Sequence, residues 1–238
     1  MHAANFKEDG VEDSIYTRTE AVIGKDAVDR LKSCSVIVFG VGGVGGFAVE
    51  ALARVGIGKI AVVDMDTVAP SNLNRQIIAT HSTLGMPKVD AIKQRIVDIN
   101  PSCEVKTYEM FYSEENAAEI DLSEFDYVLD CIDSVKSKLY LIEKSKEAGT
   151  PIISSMGTGN KLDPTRFTVT DISKTYNDPL AKVVRCELRK RGIMHLKVVF
   201  SDEEPKSIAG GRTPGSLAFV PSVAGLVMAS AVVKDLIG

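Results

Sequence analysis

A short β-prone run that passes directly into glycines, SVIVFGVGGVGG from Ser35 to Gly46, constrains this chain more than any other feature. Val36, Ile37, Val38 and Phe39 are apolar without interruption, as a strand covered on both faces requires. Gly40, Gly42 and Gly45 complete G-x-G-x-x-G. Val44, Phe47, Ala48, Ala51, Leu52 and Val55 then recur at helical spacing, so the glycine turn opens a helix with one buried face. Residues without a Cβ let phosphate oxygens approach the backbone, and a helix N-terminus offers unpaired N–H groups. Tight strand-to-helix turns also use glycine for purely structural reasons, so the motif alone leaves nucleotide binding open.

The alternation continues. Lys59 to Val63 is a second apolar run, closed by Asp64 about 20 residues beyond the glycines, where a dinucleotide fold places its ribose-binding carboxylate. Val89, Ile92, Ile96 and Ile99 mark a helical face, Glu104 to Tyr108 a strand, and Ser113 a cap for a short acidic helix. Tyr127 to Cys131 and Pro151 to Ser155 read as strands flanking a helix from Ser134 to Ala148. The order predicts an α/β, doubly wound, Rossmann-like and mostly parallel sheet. Beyond Gly159 the runs Arg166 to Ile172, Leu196 to Phe200 and Ser216 to Val220 lack regular intervening helices, which predicts antiparallel extension of the sheet in the C-terminal third. A helix from Asp178 to Arg191 and a loop rich in Gly, Pro and charge, residues 201–215, lie among them, and the loop is expected to be mobile. Ahead of the glycines a helical segment is expected up to Ser33, with Asp26 as its cap. The expected organisation is one domain: helical segment 1–33, nucleotide-binding core 34–159 and substrate-side extension 160–238.

Composition narrows the function. With 238 residues, 45% apolar and 25% charged, the chain can bury a sizeable core, and its net charge of −4 requires any nucleic-acid partner to be held by a local patch. Cys34, Cys103, Cys131 and Cys186 include no C-x-x-C, so no zinc is expected, and they read as reduced, cytoplasmic thiols. Met1 is followed by acidic and polar residues rather than a signal-type apolar core. The most apolar tract, Leu217 to Val233, is interrupted by Pro221, Ser222 and Gly225 and falls short of the roughly 20 residues that span a bilayer, so a buried strand and helix are expected and no membrane partner.

The chemistry lies in DMDTVAPSNLNRQ after Asp64, GMPK at Gly85 to Lys88 and DCID at Asp130 to Asp133. Carboxylates at a strand end, an Asn-rich turn delivering Arg75 and Gln76, and then Lys88 and Asp133 match a triphosphate and magnesium in charge. Hydride transfer needs no such set. In these separated motifs, between about Ile15 and Met156, the chain resembles the ubiquitin-activating-enzyme-like adenylyltransferases. The resemblance implies phosphate-approaching backbone at Gly42 and Gly43, a ribose-binding acid at Asp64 with Asp66 beside it, phosphate contacts from Asn74, Arg75, Gln76 and Lys88, and a magnesium ligand at Asp133. It further implies a homodimer in which Arg18 reaches into the partner's site. Catalysis would then rest on Arg18, Arg75, Lys88 and Asp133, with ATP and magnesium as cofactors.

The reaction so implied is attack of a carboxylate on the α-phosphate of ATP, releasing pyrophosphate. The compact length and the segments DPLAKVVRCELRKRGI and GSLAFVPSVAGLVMASAVVKDL resemble the tRNA threonylcarbamoyladenosine dehydratase branch, whose carboxylate sits on an adenosine beside the anticodon and whose adenylation permits cyclisation with net loss of water. Activation of a small ubiquitin-like carrier protein is the alternative, with a sulfur-transfer protein as a further candidate partner. An NAD-dependent oxidoreductase rests only on the glycines and Asp64, and a non-catalytic nucleotide-binding module leaves Arg75, Lys88 and Asp133 without work. Lys182, Arg185, Arg189, Lys190, Arg191 and Lys197 face the single acid Glu187 in one segment, a candidate tRNA-binding patch, with Lys182, Arg185, Arg189 and Lys190 at its centre. Cys186 lies between Lys182 and Lys190, cations that favour a thiolate, although a plain surface cysteine fits as well.

Overall fold

The computed structural model describes residues 7–8, 11–206 and 214–238, so the centre of the 201–215 loop lies outside the described residues. The segment expected to be helical up to Ser33 opens instead with a two-stranded antiparallel ribbon, β1 (Lys7–Glu8) and β2 (Val11–Glu12), before helices α1 (Thr17–Ile23) and α2 (Lys25–Ser33). The core then runs β3 (Ser35–Phe39), α3 (Gly45–Val55), β4 (Lys59–Val63), α4 (Lys88–Ile99), β5 (Glu104–Tyr108), β6 (Tyr127–Asp130), α5 (Val135–Ala148) and β7 (Ile152–Ser155). It closes with β8 (Phe167–Asp171), α6 (Pro179–Lys190), β9 (Lys197–Ser201) and α7 (Phe219–Ile237).

Seven strands form one sheet in the order β5-β4-β3-β6-β7-β9-β8. β3 is central because every one of its apolar residues is buried: Val36 and Val38 face the α3, α4 and α7 layer, while Ile37 and Phe39 face α5 and α6. The order in which strands are added reverses at β3, with β4 on one side and β6 on the other, both parallel to it. Such a switch point leaves a crevice at the carboxyl ends of the strands, and α/β folds bind ligands there.

The C-terminal third departs from expectation in two ways. β9 joins β7 in parallel, so only the edge strand β8 runs antiparallel, against β9. The expected strand from Ser216 to Val220 is absent among the described residues, since Phe219 and Val220 open the 19-residue helix α7. A short apolar run cannot separate strand from buried helix by periodicity. Here Pro221 lies in the first turn, where a missing N–H costs nothing, and Val220, Ala224 and Met228 repeat at helical spacing against Ala48 and Leu52. α7 is long and apolar enough to cross a membrane by composition, and 56% of that span is buried inside this fold.

Smaller differences are local. Asp26 sits inside the first turn of α2, and Gly24, at φ +84°, occupies the cap position instead. The acidic stretch after Ser113 forms short turns, Ala117–Glu119 and Leu122–Glu124, rather than an α-helix. Asp178 does cap α6, its Oδ1 accepting from the Ala181 N–H at 3.0 Å.

Candidate nucleotide-binding and active site

At the switch point lies a cleft of about 480 Å³ bounded by the ends of β3, β4 and β6. Its floor is a turn that only glycine can form. Gly40 sits at φ +85°, where a Cβ would stand 2.8 Å from the Cys131 carbonyl oxygen, and a Cβ on Gly45 would fall 1.8 Å from the Gly40 carbonyl. Gly42 and Gly43 then present bare backbone to the cleft.

Asp64 follows β4 and braces the turn. Its Oδ2 accepts from the Val41 N–H at 2.8 Å and its Oδ1 from the Asp66 N–H at 2.9 Å. Burial pushes its carboxyl above the usual aspartate range, against the pull of Lys88 and of these two N–H groups. Lys88, itself buried at the start of α4, stands 3.9 Å from Asp64 and 2.6 Å from Asp66, whose side chain is 61% exposed.

The Asn-rich turn supplies the far wall. Arg75 Nη1 donates to the Ser71 carbonyl and to Asn74 Oδ1, both at 2.9 Å. Gln76 is buried, and its Oε1 has no hydrogen-bond partner, an unsatisfied acceptor in the lining of a cleft. A buried polar atom left unpaired costs stability, which is what a ligand-binding group accepts in the absence of its ligand. Asp133, in the loop after β6, also lines the cleft and is exposed.

The fold thus gathers Gly42, Gly43, Asp64, Asp66, Arg75, Gln76, Lys88 and Asp133 around one space. Asn74 is not in the lining: it points its amide to the Ser216 carbonyl at 3.0 Å and holds Arg75 from behind. Arg18 is exposed on α1, at the other end of the fold. The Tyr16 ring beside it covers Gly56, which ends α3, and its hydroxyl donates to Asn100 at 3.2 Å. The turn that opens α3 lies about 16 Å away along that helix.

The α6 cations are dispersed in role. Arg185 donates to the Thr175 carbonyl and hydroxyl, Lys190 pairs with Glu187 at 2.6 Å, Arg191 with Glu143 at 3.0 Å, and Lys197 with Asp235. Lys182 and Arg189 make no ion pair among the described residues. Cys186 is exposed on α6, whereas the Cys131 thiol at the cleft is pushed up to about 12 by burial.

Two features had no sequence signal strong enough to single them out. One is the lining from Met110, Phe111, Tyr112 and Thr158, contributed by loops whose approach depends on tertiary packing. The other is a sealed cluster behind the cleft, in which Lys138 Nζ donates to Asp130 Oδ2 at 2.8 Å, to Ser154 Oγ at 3.1 Å and to the Ser155 carbonyl at 3.1 Å.

With this geometry in place, comparison with known proteins is decisive. The ThiF family model matches residues 16–238. The chain belongs to the ThiF family. Among its relatives is the tRNA threonylcarbamoyladenosine dehydratase of Bacillus subtilis, 48% identical over 239 residues, covering 93% of this chain and 94% of that protein. The crystal structure of Escherichia coli tRNA N6-threonylcarbamoyladenosine dehydratase, TcdA, in complex with ATP superposes with a TM-score of 0.87 at 35% identity, covering 93% of each chain. The molybdopterin-synthase adenylyltransferase of Haemophilus influenzae is 35% identical over 160 residues, 67% of this chain and 65% of that one. The likeness to these two dehydratases therefore spans 93% of the chain, against 67% for the adenylyltransferase.

Proposed function

We propose that this ThiF-family chain is an ATP-dependent tRNA threonylcarbamoyladenosine dehydratase. The observation that carries the reading is the convergence of a glycine cradle, a buried lysine, an arginine and an unpaired Gln76 acceptor on one cleft, in a chain that matches a dehydratase over 93% of its length. The bound ATP of the Escherichia coli relative supports the same use of this cleft.

Asp64 is suited to a ribose hydroxyl, since its oxygens point from the strand end beside Gly42 and are already held by backbone N–H groups. Gly42 and Gly43 let phosphates approach, and Lys88, Arg75 and Gln76 line the path of the negative charge that moves onto the departing pyrophosphate. Lys88 now rests on Asp66, an exposed carboxylate that can release it to a phosphate at little cost. The substrate carboxylate attacks the α-phosphorus and forms an acyl-adenylate. A nucleophile of the same modification then closes on the acyl carbon and expels AMP, with net loss of one water from the nucleoside. No protein thiol takes part, and Cys186 needs no covalent role. Magnesium would be held by Asp133, an exposed carboxylate in the cleft lining, since this ion takes one or two carboxylates and completes its shell with phosphate oxygens and water. When bound it supplies charge neutralisation at the phosphates.

We further propose a two-fold dimer that works in the cytoplasm, where its tRNA resides. Arg18 lies far from its own cleft, α1 buries no residue, and Val22 on that helix is 84% exposed, as a segment covered by a second copy would be. Mixing Arg18→Ala with Lys88→Ala subunits, each inactive alone, should restore activity once subunits exchange. No recovery after verified exchange rejects the shared site.

The function itself is tested by incubating the protein with ATP, magnesium and tRNA carrying threonylcarbamoyladenosine, followed by mild digestion and mass spectrometry. A nucleoside lighter by one water, formed only with ATP, is expected. Unchanged nucleoside, alongside ATP-dependent adenylation of a carrier protein's C-terminus, would replace this reading with the carrier-activating one.

A further inference from the structure

The four α6 cations singled out in the sequence do not form one surface, and their separation points to where RNA meets the protein. α6 is tied to the cleft at its start: Asp178 caps the helix while its Oδ2 accepts from the Gly157 N–H at 2.9 Å, and Thr158, the next residue, lines the cleft. α5 begins at the same place, since Ser134 precedes it directly after Asp133, and Ser137 in its first turn also lines the cleft. β6 and β7 are neighbouring strands, and α5 packs on α6 through Leu141, Ile142, Val184 and Leu188. The first turns of the two helices therefore stand side by side at the cleft mouth. Each carries an exposed lysine, Lys136 on α5 and Lys182 on α6, and neither is in an ion pair among the described residues.

Arg189 and Lys190 lie roughly 10 Å further down α6, away from the mouth. Lys190 is already neutralised by Glu187. Arg185 serves another purpose: its two bonds to Thr175 fix the turn that presents Tyr176. That ring is 55% exposed, meets Phe200 edge-on at 5.7 Å, and is steadied by its hydroxyl on Asp202 at 3.0 Å. It borders a groove of about 390 Å³ shared with Arg166 and Lys174. The acids nearby are engaged: Asp202 by Arg166, and Asp178 by Lys161 in the interior.

We infer that Lys136 and Lys182 receive RNA backbone phosphates at the cleft mouth and that Tyr176 stacks an unpaired base flanking the modified adenosine. The inference rests on the proposed function. A carboxylate on a tRNA nucleoside must enter the cleft to reach the α-phosphate, so its neighbouring nucleotides cross the rim rather than the far end of α6. Single-stranded RNA is bound by just this pairing of cations along the backbone with an aromatic face under a base.

The test is tRNA affinity measured against salt for the full-length protein, with ATP affinity and melting temperature as controls. Lys136→Ala with Lys182→Ala should flatten the slope of log affinity against log salt by about 1 to 2, whereas Arg189→Ala with Lys190→Ala should leave it in place. Tyr176→Ala should weaken tRNA binding roughly 5- to 150-fold without changing ATP affinity, and Tyr176→Phe should bind nearly as the parent does. Flattening by the distal pair instead, or unchanged binding in the rim and Tyr176→Ala variants of a protein that still dehydrates tRNA, overturns this docking surface alone. A parent protein that neither binds nor dehydrates the tRNA overturns the proposed function and the docking surface with it.

Discussion

Two lysine–aspartate pairs stand at the ends of adjacent parts of one sheet, and they differ in nearly every physical respect. Lys138 and Asp130, at β6, are wholly excluded from solvent, and every polar atom of the pair has a partner: Ser154 and the Ser155 carbonyl on one side, the Ile132 N–H on the other. Lys88 and its carboxylates, at β4, open onto the cleft, with a contact of 3.9 Å to Asp64 and a replaceable one of 2.6 Å to Asp66. A charge pair with no unsatisfied atom has nothing left to offer a ligand, and fixes instead the geometry of the strand ends around it. A pair held loosely at a cleft keeps its charge available for a substrate. The sealed pair joins β6, β7 and α5 immediately behind Asp133 and Thr158, so the open site depends on it for shape.

The largest effect expected of this contrast is on turnover. Lys88→Ala and Asp133→Ala should each lower tRNA dehydration on the order of a hundredfold or more, and Asp133→Ala should leave the melting temperature nearly unmoved, because its exposed carboxylate has a proposed role in charge at the cleft rather than in packing. Steady-state rates at saturating ATP and magnesium decide it, and near-parental rates in both variants would remove the open pair from the chemistry.

Lys138→Met should behave the other way. Stranding Asp130 without its partner in the interior is expected to cost roughly 3–5 kcal/mol of stability, read by denaturant titration, with activity lost only as the fold is lost. Replacing Asp130 by Asn in the same protein should recover part of that loss, since no buried charge then remains. A Lys138→Met protein of unchanged stability but abolished turnover would erase the distinction between the two pairs.

A pair of intermediate character sharpens the comparison from the side of pH. Glu50 on α3 is buried, which pushes its carboxyl up, yet hydrogen bonds from Arg95 and Arg54 prevail and hold it below the usual glutamate range. Its folded-state pKa lies under the unfolded value, so its contribution is present above the unfolded value and is lost as pH falls through the folded one. Glu50→Gln should therefore lower stability by about 1 kcal/mol at pH 7, with the gap closing below about pH 4. Asp64 has the opposite sign, its folded pKa raised by burial, so its ionised form opposes folding at neutral pH. Melting temperature against pH for parent and Glu50→Gln separates these cases: a gap that persisted into acid would mean that the Arg bonds do not act through charge.

The contrast also explains what the sequence disclosed. β3, the glycine turn and Asp64 were legible because strand burial and the glycine turn are written in adjacent residues. Asp64, Arg75, Lys88 and Asp133 were legible as a set because each follows a recognisable strand or turn, and the fold carries them to one cleft. The Lys138 cluster was not, since a lysine in an amphipathic helix reads as solvated, and only the packing of α5 across β6 and β7 turns it inward. α6 was legible as a helix with a basic composition, but not in its partners: Glu187, Glu143 and Thr175 divide its cations by contacts that depend on the α5 surface and the turn before Asp178. The Ser216–Val220 misreading has the same origin, for its apolar residues are equally suited to a strand until α3 provides the surface on which α7 lies.

The central claim is that this cleft activates a carboxylate of the tRNA modification by adenylation, and following an oxygen atom tests it most directly. The threonyl carboxylate of the modified tRNA is labelled with heavy oxygen and turned over with ATP. Attack on the α-phosphorus followed by cyclisation leaves one labelled oxygen on the phosphate of AMP, with unlabelled pyrophosphate beside it. Label recovered in inorganic phosphate, or AMP without label after complete dehydration, would contradict the assignment of this cleft to carboxylate adenylation.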